Sequence, residues 1–181
     1  MIRRILDGLY LLAGCLAGLF LVFIFLLMMS LSVGRDLGIY IPAGDDFAAW
    51  SMAAMAFLGL AYTFKAGELI RVGLVVDRIR GPARRVIEIL CLAFGTAVIG
   101  YFAWYALHMT YDSWRFNDMS QGVVAVPLWF PQLGYSLGLA ILAIAFLDEL
   151  VRVLSGRPPS YERPPPATPQ EIVDRAAESG I

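Results

Sequence analysis

Four long apolar runs, separated by short polar segments, dominate the chain. They cover about residues 9–33, 47–64, 86–109 and 127–147, and none carries a charged residue near its midpoint. A helix that crosses about 30 Å of hydrocarbon needs about 20 apolar residues, and it satisfies its own backbone polar groups there. The pattern therefore predicts an all-α integral membrane protein with four transmembrane helices.

Small residues recur along the first two runs, where they would let helices approach closely. They include Ala13, Gly14, Ala17 and Gly18 in the first run and Ala48, Ala49, Ala53, Ala54, Ala56, Gly59 and Ala61 in the second. We interpret Gly59 as a close-packing residue. Because these faces are numerous and no polar interior accompanies them, we also expect the chain to pack against another membrane protein.

The polar segment between the second and third runs predicts a short amphipathic helix at about residues 68–81. Apolar residues recur at positions i, i+3, i+4 and i+7: Val72, Val75, Val76 and Ile79. Arg71 and Arg78 fall elsewhere on this helix, where each would contribute on the order of 1 kcal/mol near anionic phospholipid. We expect this arm to lie in the cytoplasmic interface, and a structured loop whose β-branched residues face the core is the alternative.

Aromatic residues and prolines mark the opposite boundary of the predicted spans. Trp50, Trp114 and Trp129 fall near it, where an indole buries its ring and keeps a hydrogen bond. Trp104 lies deeper and is expected to be a packing residue. Pro127 is expected in the first turn of the fourth helix, where its missing N–H costs nothing.

The segment 156–181 holds six of the ten prolines, so it predicts an extended cytoplasmic tail outside the membrane domain of residues 1–155. Thr168, Pro169 and Glu171 match an N-cap, a proline at the first helical position and a capping-box acid. They favour a short helix ending near Ser179. A disordered end is the alternative.

Composition narrows the functional classes. The chain has 181 residues, of which 59% are apolar and 16% charged, and its net charge is −1. This excludes the strongly basic surface that nucleic-acid binding requires. With one His and two Cys, we expect no cofactor, no metal site and no enzyme activity. His108 is expected to be hydrogen-bonded, and Cys15 and Cys91 to be small packing residues.

The distribution of charge predicts the orientation. Twelve of the 14 Lys and Arg fall before the first run, between the second and third, or after the fourth. The positive-inside rule then places both termini in the cytoplasm, and we expect the bacterial inner membrane. The first run is too long for a signal-peptide core, so it is expected to remain as a helix.

Charged residues near the cytoplasmic ends of the runs are expected to form ion pairs within their own helices. Glu88 follows Arg84 by four residues, the spacing of a helical ion pair. Asp148, Glu149 and Arg152 are interpreted in the same way. No proton or ion relay is predicted, since such relays need ionisable groups within the bilayer.

Several short motifs, in order, resemble the small membrane subunit of tripartite ATP-independent periplasmic (TRAP) transporters, a four-helix family. The resemblance covers about residues 5–155. It rests on Asp45-Asp46 followed by Trp50, on the run from Phe57 through Lys65 to Val72, and on Val126 to Pro131. The family usually has His at the position of Glu68 and often Asp at that of Gly73.

The resemblance implies a scaffold. The subunit would bind a large multi-span membrane subunit that carries sodium and substrate sites, and a periplasmic substrate-binding protein would deliver an organic acid. We assign Asp45 and Asp46 to the docking face, Trp50 and Trp129 to outer anchoring, and Gly67 and Arg71 to shaping the arm. No residue is expected to contact substrate.

Three alternatives remain. The chain resembles, less specifically, the four-helix small subunit of tripartite tricarboxylate transporters. It also fits a membrane anchor or assembly subunit of a redox complex. A small homo-oligomeric exporter is the third alternative, but it would require a carboxylate near mid-depth in a span.

Overall fold

Four α-helices make up nearly all of the described chain. The computed structural model describes residues 2–39, 41–66 and 82–156. In chain order the helices are α1 (Ile2–Asp36), α2 (Gly44–Ala66), α3 (Pro82–Phe116) and α4 (Trp129–Leu154). The extended pairing in these residues is an isolated antiparallel bridge between Met119 and Pro127. The predicted all-α class is confirmed.

Every helix extends beyond its predicted apolar run. The helices α1 and α3 have 35 residues each, which corresponds to about 52 Å at 1.5 Å per residue. Hydropathy marks only the part that suits hydrocarbon, whereas a helix continues into polar sequence until a breaker stops it. Gly38, with φ of 72°, follows the end of α1, and Pro82 begins α3.

Three helices are long and apolar enough to cross a membrane. They are the stretches Arg4–Asp36, Gly44–Ala66 and Arg85–Phe116 of α1, α2 and α3. The fourth predicted span corresponds to α4, which has 26 residues and carries its charged residues in the last two turns. The described residues therefore form four helices, and three of these have the length and composition of spans.

The predicted role of Pro127 in the first turn of the fourth helix is wrong. The helix begins at Trp129, and Pro127 lies before its cap, Leu128, where it pairs with Met119. The Pro127 carbonyl accepts the Phe130 N–H at 3.1 Å. Pro131 instead occupies the first turn, where a helix does not use the missing N–H.

The helices form a row in the order α1, α2, α4, α3. Each packs on its neighbours in that row, α1 touches α4 slightly, and in the described chain α3 contacts only α4. Gly134 faces Ala54 and Asp148 meets Lys65, so α2 and α4 run parallel. The helix pairs α1–α2 and α3–α4 are antiparallel.

The small residues allow close packing, as predicted, at particular positions. A Cβ on Gly138 would stand 2.6 Å from the Phe57 carbonyl carbon, and one on Gly134 would stand 2.5 Å from the Ala54 Cβ. The helices α2 and α4 therefore approach to backbone contact. A Cβ on Gly59 would meet only Ala17, at an ordinary 3.6 Å, so Gly59 has room for a methyl group.

A buried polar contact joins α3 to α4. Thr110 Oγ1 and Ser136 Oγ lie 2.6 Å apart, and both side chains also point at the Ala106 carbonyl of α3. These contacts give both hydroxyls hydrogen-bond partners, which the hydrocarbon of a bilayer does not offer. Trp104, in contrast, is 68% exposed, so it does not pack within the described chain.

Part of the sequence-based prediction lies outside the described residues. This holds for the arm at 68–81, with Gly67, Arg71 and Arg78, and for the tail from residue 157 onward. Their predicted roles return below as proposals.

Candidate partner interface

Two loops form one end of the row, which we call the loop end. The first loop joins α1 to α2. The second, residues 117–128, folds back on itself through Leu128 N–H to the Asp118 carbonyl at 2.9 Å and Ser120 N–H to the Val126 carbonyl at 2.8 Å. These bonds fix the second loop without a regular sheet.

Asp45 and Asp46 begin α2 at the loop end. Both carboxylates lie in the first turn, where the helix dipole favours negative charge. The chain enters this turn through Ala43, whose φ of 60° redirects the backbone, and the Phe47 N–H donates to the Ala43 carbonyl at 3.1 Å. The acidic pair thus stabilises the helix start in addition to any role in docking.

A cleft of about 400 Å³ separates the two loops. Its charged lining is Arg35, Asp45 and Asp46, and Val123 of the second loop closes one side. The Asp46 carboxylate lies directly against Gly122, at a point where a Cβ would overlap it. The predicted docking residues therefore lie on the cleft between the two loops, and Asp46 also positions the second loop.

The three boundary tryptophans all lie at the loop end. The Trp50 ring packs edge-on against Phe47 at 5.2 Å, in the first turns of α2. Trp114 and Trp129 line a common shallow cleft where α3 ends and α4 begins. All three indoles thus lie at similar height on the row.

His108 is hydrogen-bonded, as expected. Its Nδ1 lies 2.9 Å from Asp112 Oδ2, one turn later on α3, and the two side chains are about half exposed. A histidine four residues from a carboxylate on one helix face makes this a local pair.

The opposite end of the row, the lysine end, carries a buried ionic cluster. Lys65 Nζ lies 2.9 Å from Asp148 Oδ2 and 3.8 Å from Glu149 Oε2, and the Glu149 side chain is fully buried. The ammonium group also lies 5.4 Å from the ring centroid of the buried Tyr10. One cation therefore ties α1, α2 and α4 together.

Asp148 and Glu149 interact across helices, which the expected pairing within their own helix does not include. Both interact with a cation from α2, the only lysine in the sequence. A signal was present in the sequence: the predicted orientation puts Lys65 and these acids on the same membrane side. At the same end, Arg85 of α3 donates to the Val153 carbonyl at 3.3 Å.

The remaining candidate residues show no site chemistry in the described ranges. These residues contain no group of three or more His, Cys, Asp or Glu side chains placed to hold a metal ion. Cys15 and Cys91 are both exposed, so neither packs within the described chain. The described surface offers contact faces, with charge concentrated at the two ends.

Comparison with known proteins identifies the family. No curated protein matches the chain at a significant level. The family model of the DctQ component of tripartite ATP-independent periplasmic transporters matches residues 24–156, which is more than half of the chain. The match ends one residue beyond the resemblance found from the motifs, but it begins at residue 24, whereas that resemblance begins at about residue 5. This is a family of transporter components rather than of enzymes, and it implies association with a large membrane subunit and a binding protein. The chain belongs to the DctQ component family of TRAP transporters.

Proposed function

We propose that this chain is a small permease subunit that acts as a scaffold. It holds a large sodium-coupled membrane subunit that takes up an organic acid delivered by a periplasmic substrate-binding protein. The family match supports the assignment to a TRAP transporter. The scaffold role rests on the arrangement of the helices.

The observation that carries the proposal is the absence of charge from the middle of every described helix. Charged side chains in α1, α2 and α4 lie in the terminal turns, and those of α3 lie toward its two ends. A path for ions or protons through the bilayer would need ionisable groups at depth. In the described chain α3 packs against α4 and not against α1 or α2, so these helices do not close into a ring, as expected of a part that supports another subunit.

The helix directions support four consecutive crossings of the membrane. The antiparallel pairs α1–α2 and α3–α4 and the parallel pair α2–α4 are those of a chain that reverses direction at each connection. We therefore propose that α4 spans as well, that the lysine end and both termini face the cytoplasm, and that the membrane is the bacterial inner membrane.

The loop end is then the periplasmic surface, where we propose that the binding protein docks. The second loop and the start of α2 meet at Asp46 and Gly122, so the two acidic residues form part of one continuous surface. Trp50 and Trp129 anchor this surface at the headgroup level, since indoles favour that boundary. Pro127 shapes the second loop through its pairing with Met119.

On the cytoplasmic side we propose the interfacial arm at 68–81 and the tail at 156–181. Gly67, Arg71 and Arg78 would place the arm against anionic phospholipid, because cations near such a surface are attracted to it. The membrane domain then comprises residues 1–155. The family match ends at residue 156, next to this boundary.

The family match argues against the alternatives. A tripartite tricarboxylate transporter subunit or a redox-complex anchor would belong to a different family. The exporter would require a mid-depth carboxylate, and no Asp or Glu occupies the middle of a described helix.

Co-purification tests the proposal. The tagged chain, co-expressed with the large membrane protein encoded beside it and solubilised mildly, should recover that protein stoichiometrically. Reconstituted together with the cognate binding protein, the pair should take up an organic acid only under a sodium gradient. Recovery of a homo-oligomer alone, or of a redox enzyme, would contradict the proposal.

A further inference from the structure

The two edges of the row differ in chemistry. The edge helix α1 exposes Leu, Phe, Val and Met side chains along its length, and its one tyrosine, Tyr10, is buried. The edge helix α3 exposes tyrosines and tryptophans as well. Hydrocarbon is a suitable neighbour for the first surface. The second surface carries O–H and N–H donors.

One set of exposed and part-exposed residues along α3 forms a regular stripe, which we call the α3 stripe. Its members follow one another at intervals of four and three residues: Phe94, Val98, Tyr101, Tyr105, His108 and Asp112. At 3.6 residues per turn this stripe points away from Ala103 and Thr110, which are buried toward α4. Its members Tyr105, His108 and Asp112 border an open groove that Ala53 and Phe57 of α2 also line. Alternating intervals of four and three are the spacing with which one helix packs along another.

The middle of the α3 stripe holds polar groups at a depth where lipid cannot satisfy them. Tyr101 and Tyr105 lie about 3 and 9 Å along the axis from the centre of α3, inside the about 15 Å half-thickness of the hydrocarbon. Their rings contact each other at 4.6 Å, but within the described chain neither hydroxyl is hydrogen-bonded. Nearby Trp104 also presents an indole N–H. Acyl chains offer no acceptor for these donors.

We infer that the α3 stripe is the face on which a transmembrane helix of the large membrane subunit packs. This inference rests on the proposed function, because it names the surface that binds the proposed partner. A protein helix offers both the regular ridge that matches the spacing and the polar atoms that accept from Tyr101 and Tyr105. The exposed side of α1 then faces lipid.

Site-specific photo-cross-linking tests the assignment. Benzoylphenylalanine is placed at Tyr101 or Tyr105, and at Phe23 or Phe25 of α1 as matched controls that are likewise exposed aromatic positions. The full chain is co-expressed with the large subunit and irradiated in the membrane. We expect an adduct with the large subunit from the α3 positions, at a yield several-fold above that from the α1 positions.

The other outcomes are distinct. An adduct of twice the mass of this chain would assign the α3 stripe to a second copy, and the absence of any protein adduct would assign it to lipid; either result overturns the inference. Equal or higher yields from α1 also overturn it, while co-purification of the large subunit leaves the proposed function standing. If the wild-type chain does not recover the large subunit, the proposed function and the inference fail together.

Discussion

At the scale of single residues, the packing of the helices depends on the close approach of two backbones and on one buried cation. Gly138 lets α4 reach the backbone of α2, and Lys65 brings three helices together at the lysine end. The sequence predicts that small residues favour close packing, but it does not show which of them lie at a contact. Gly59 and Gly138 look equivalent in sequence, and only the packing geometry separates them.

Replacing Gly138 by alanine should destabilise the chain. The new methyl group would meet the backbone of Phe57 and Leu58, which cannot move aside as a flexible side chain can. We expect a loss of about 1–3 kcal/mol in the free energy of unfolding, the usual cost of overpacking. Thermal unfolding in detergent measures it. Gly59→Ala is the matched control and should change the midpoint little, and equal effects of the two substitutions would contradict this packing.

Replacing Lys65 by methionine should also be destabilising. It removes the cation that pairs with Asp148 at 2.9 Å, and breaking one partner of a buried pair costs about 3–5 kcal/mol. We expect the lower part of that range because Asp148 keeps partial exposure to water. A Lys65→Met/Asp148→Asn/Glu149→Gln variant should recover much of the lost stability in the same unfolding assay. A triple variant as unstable as the single one would exclude charge imbalance as the cause.

At the scale of helices and loops, hydropathy predicts that a helix is present better than it predicts the residues at which the helix begins and ends. Every predicted run corresponds to an observed helix, because burial of apolar residues in hydrocarbon and backbone satisfaction favour the same structure. The helix ends depend on local turn chemistry. Pro127 is an example. Its sequence context predicts a proline in the first turn, yet its pairing with Met119 keeps it in the loop, and the helix begins at Trp129.

The acidic start of α2 should govern docking of the binding protein. Replacing the exposed Asp45 by asparagine removes a charge from the cleft without changing the shape of the side chain much. We expect slower association with the binding protein and a weaker dependence of that rate on ionic strength, since rim charges act mainly on encounter. Uptake measured against binding-protein concentration at low and high salt reports this. Asp7→Asn, an exposed acid in the opposite part of the row, should have no effect.

Reversal of charge in the proposed arm should weaken assembly or uptake. Arg71→Glu would convert attraction to an anionic surface into repulsion. The expected result is lower uptake at equal expression, together with weaker binding to vesicles containing anionic lipid. Arg71→Lys, which keeps the charge, should behave like the wild type. Unchanged uptake by the Arg71→Glu variant would contradict this role and would show that Arg71 is one of several interchangeable cations.

At the scale of the whole molecule, the family and the helix count follow from the sequence, but the row does not. Span order alone is compatible with a closed bundle. The row arises because α4, the last helix, packs between α2 and α3, with Gly134 and Gly138 against one neighbour and Ser136 against the other. Such alternation along one helix becomes visible only when the contacts are known.

The proposed orientation makes a direct prediction about accessibility. A cysteine introduced at Ser120, in a background without Cys15 and Cys91, should react with a membrane-impermeant maleimide added to intact spheroplasts. A fluorescent protein fused after residue 181 should fold and fluoresce, as it does in the cytoplasm. These outcomes follow from the clustering of basic residues at one membrane face. Labelling only after lysis would reverse the assigned topology.

The open row has a mechanical consequence. With about 8–10 Å between neighbouring axes, α2, α4 and α3 side by side span about 16–20 Å, and α1 packs on α2 and reaches α4, whereas a square bundle is one spacing wide. The same number of residues therefore gives a much broader footprint in the plane of the bilayer. Attached along one edge to the proposed large subunit, this chain would widen the complex in the plane of the bilayer and so resist its tilting.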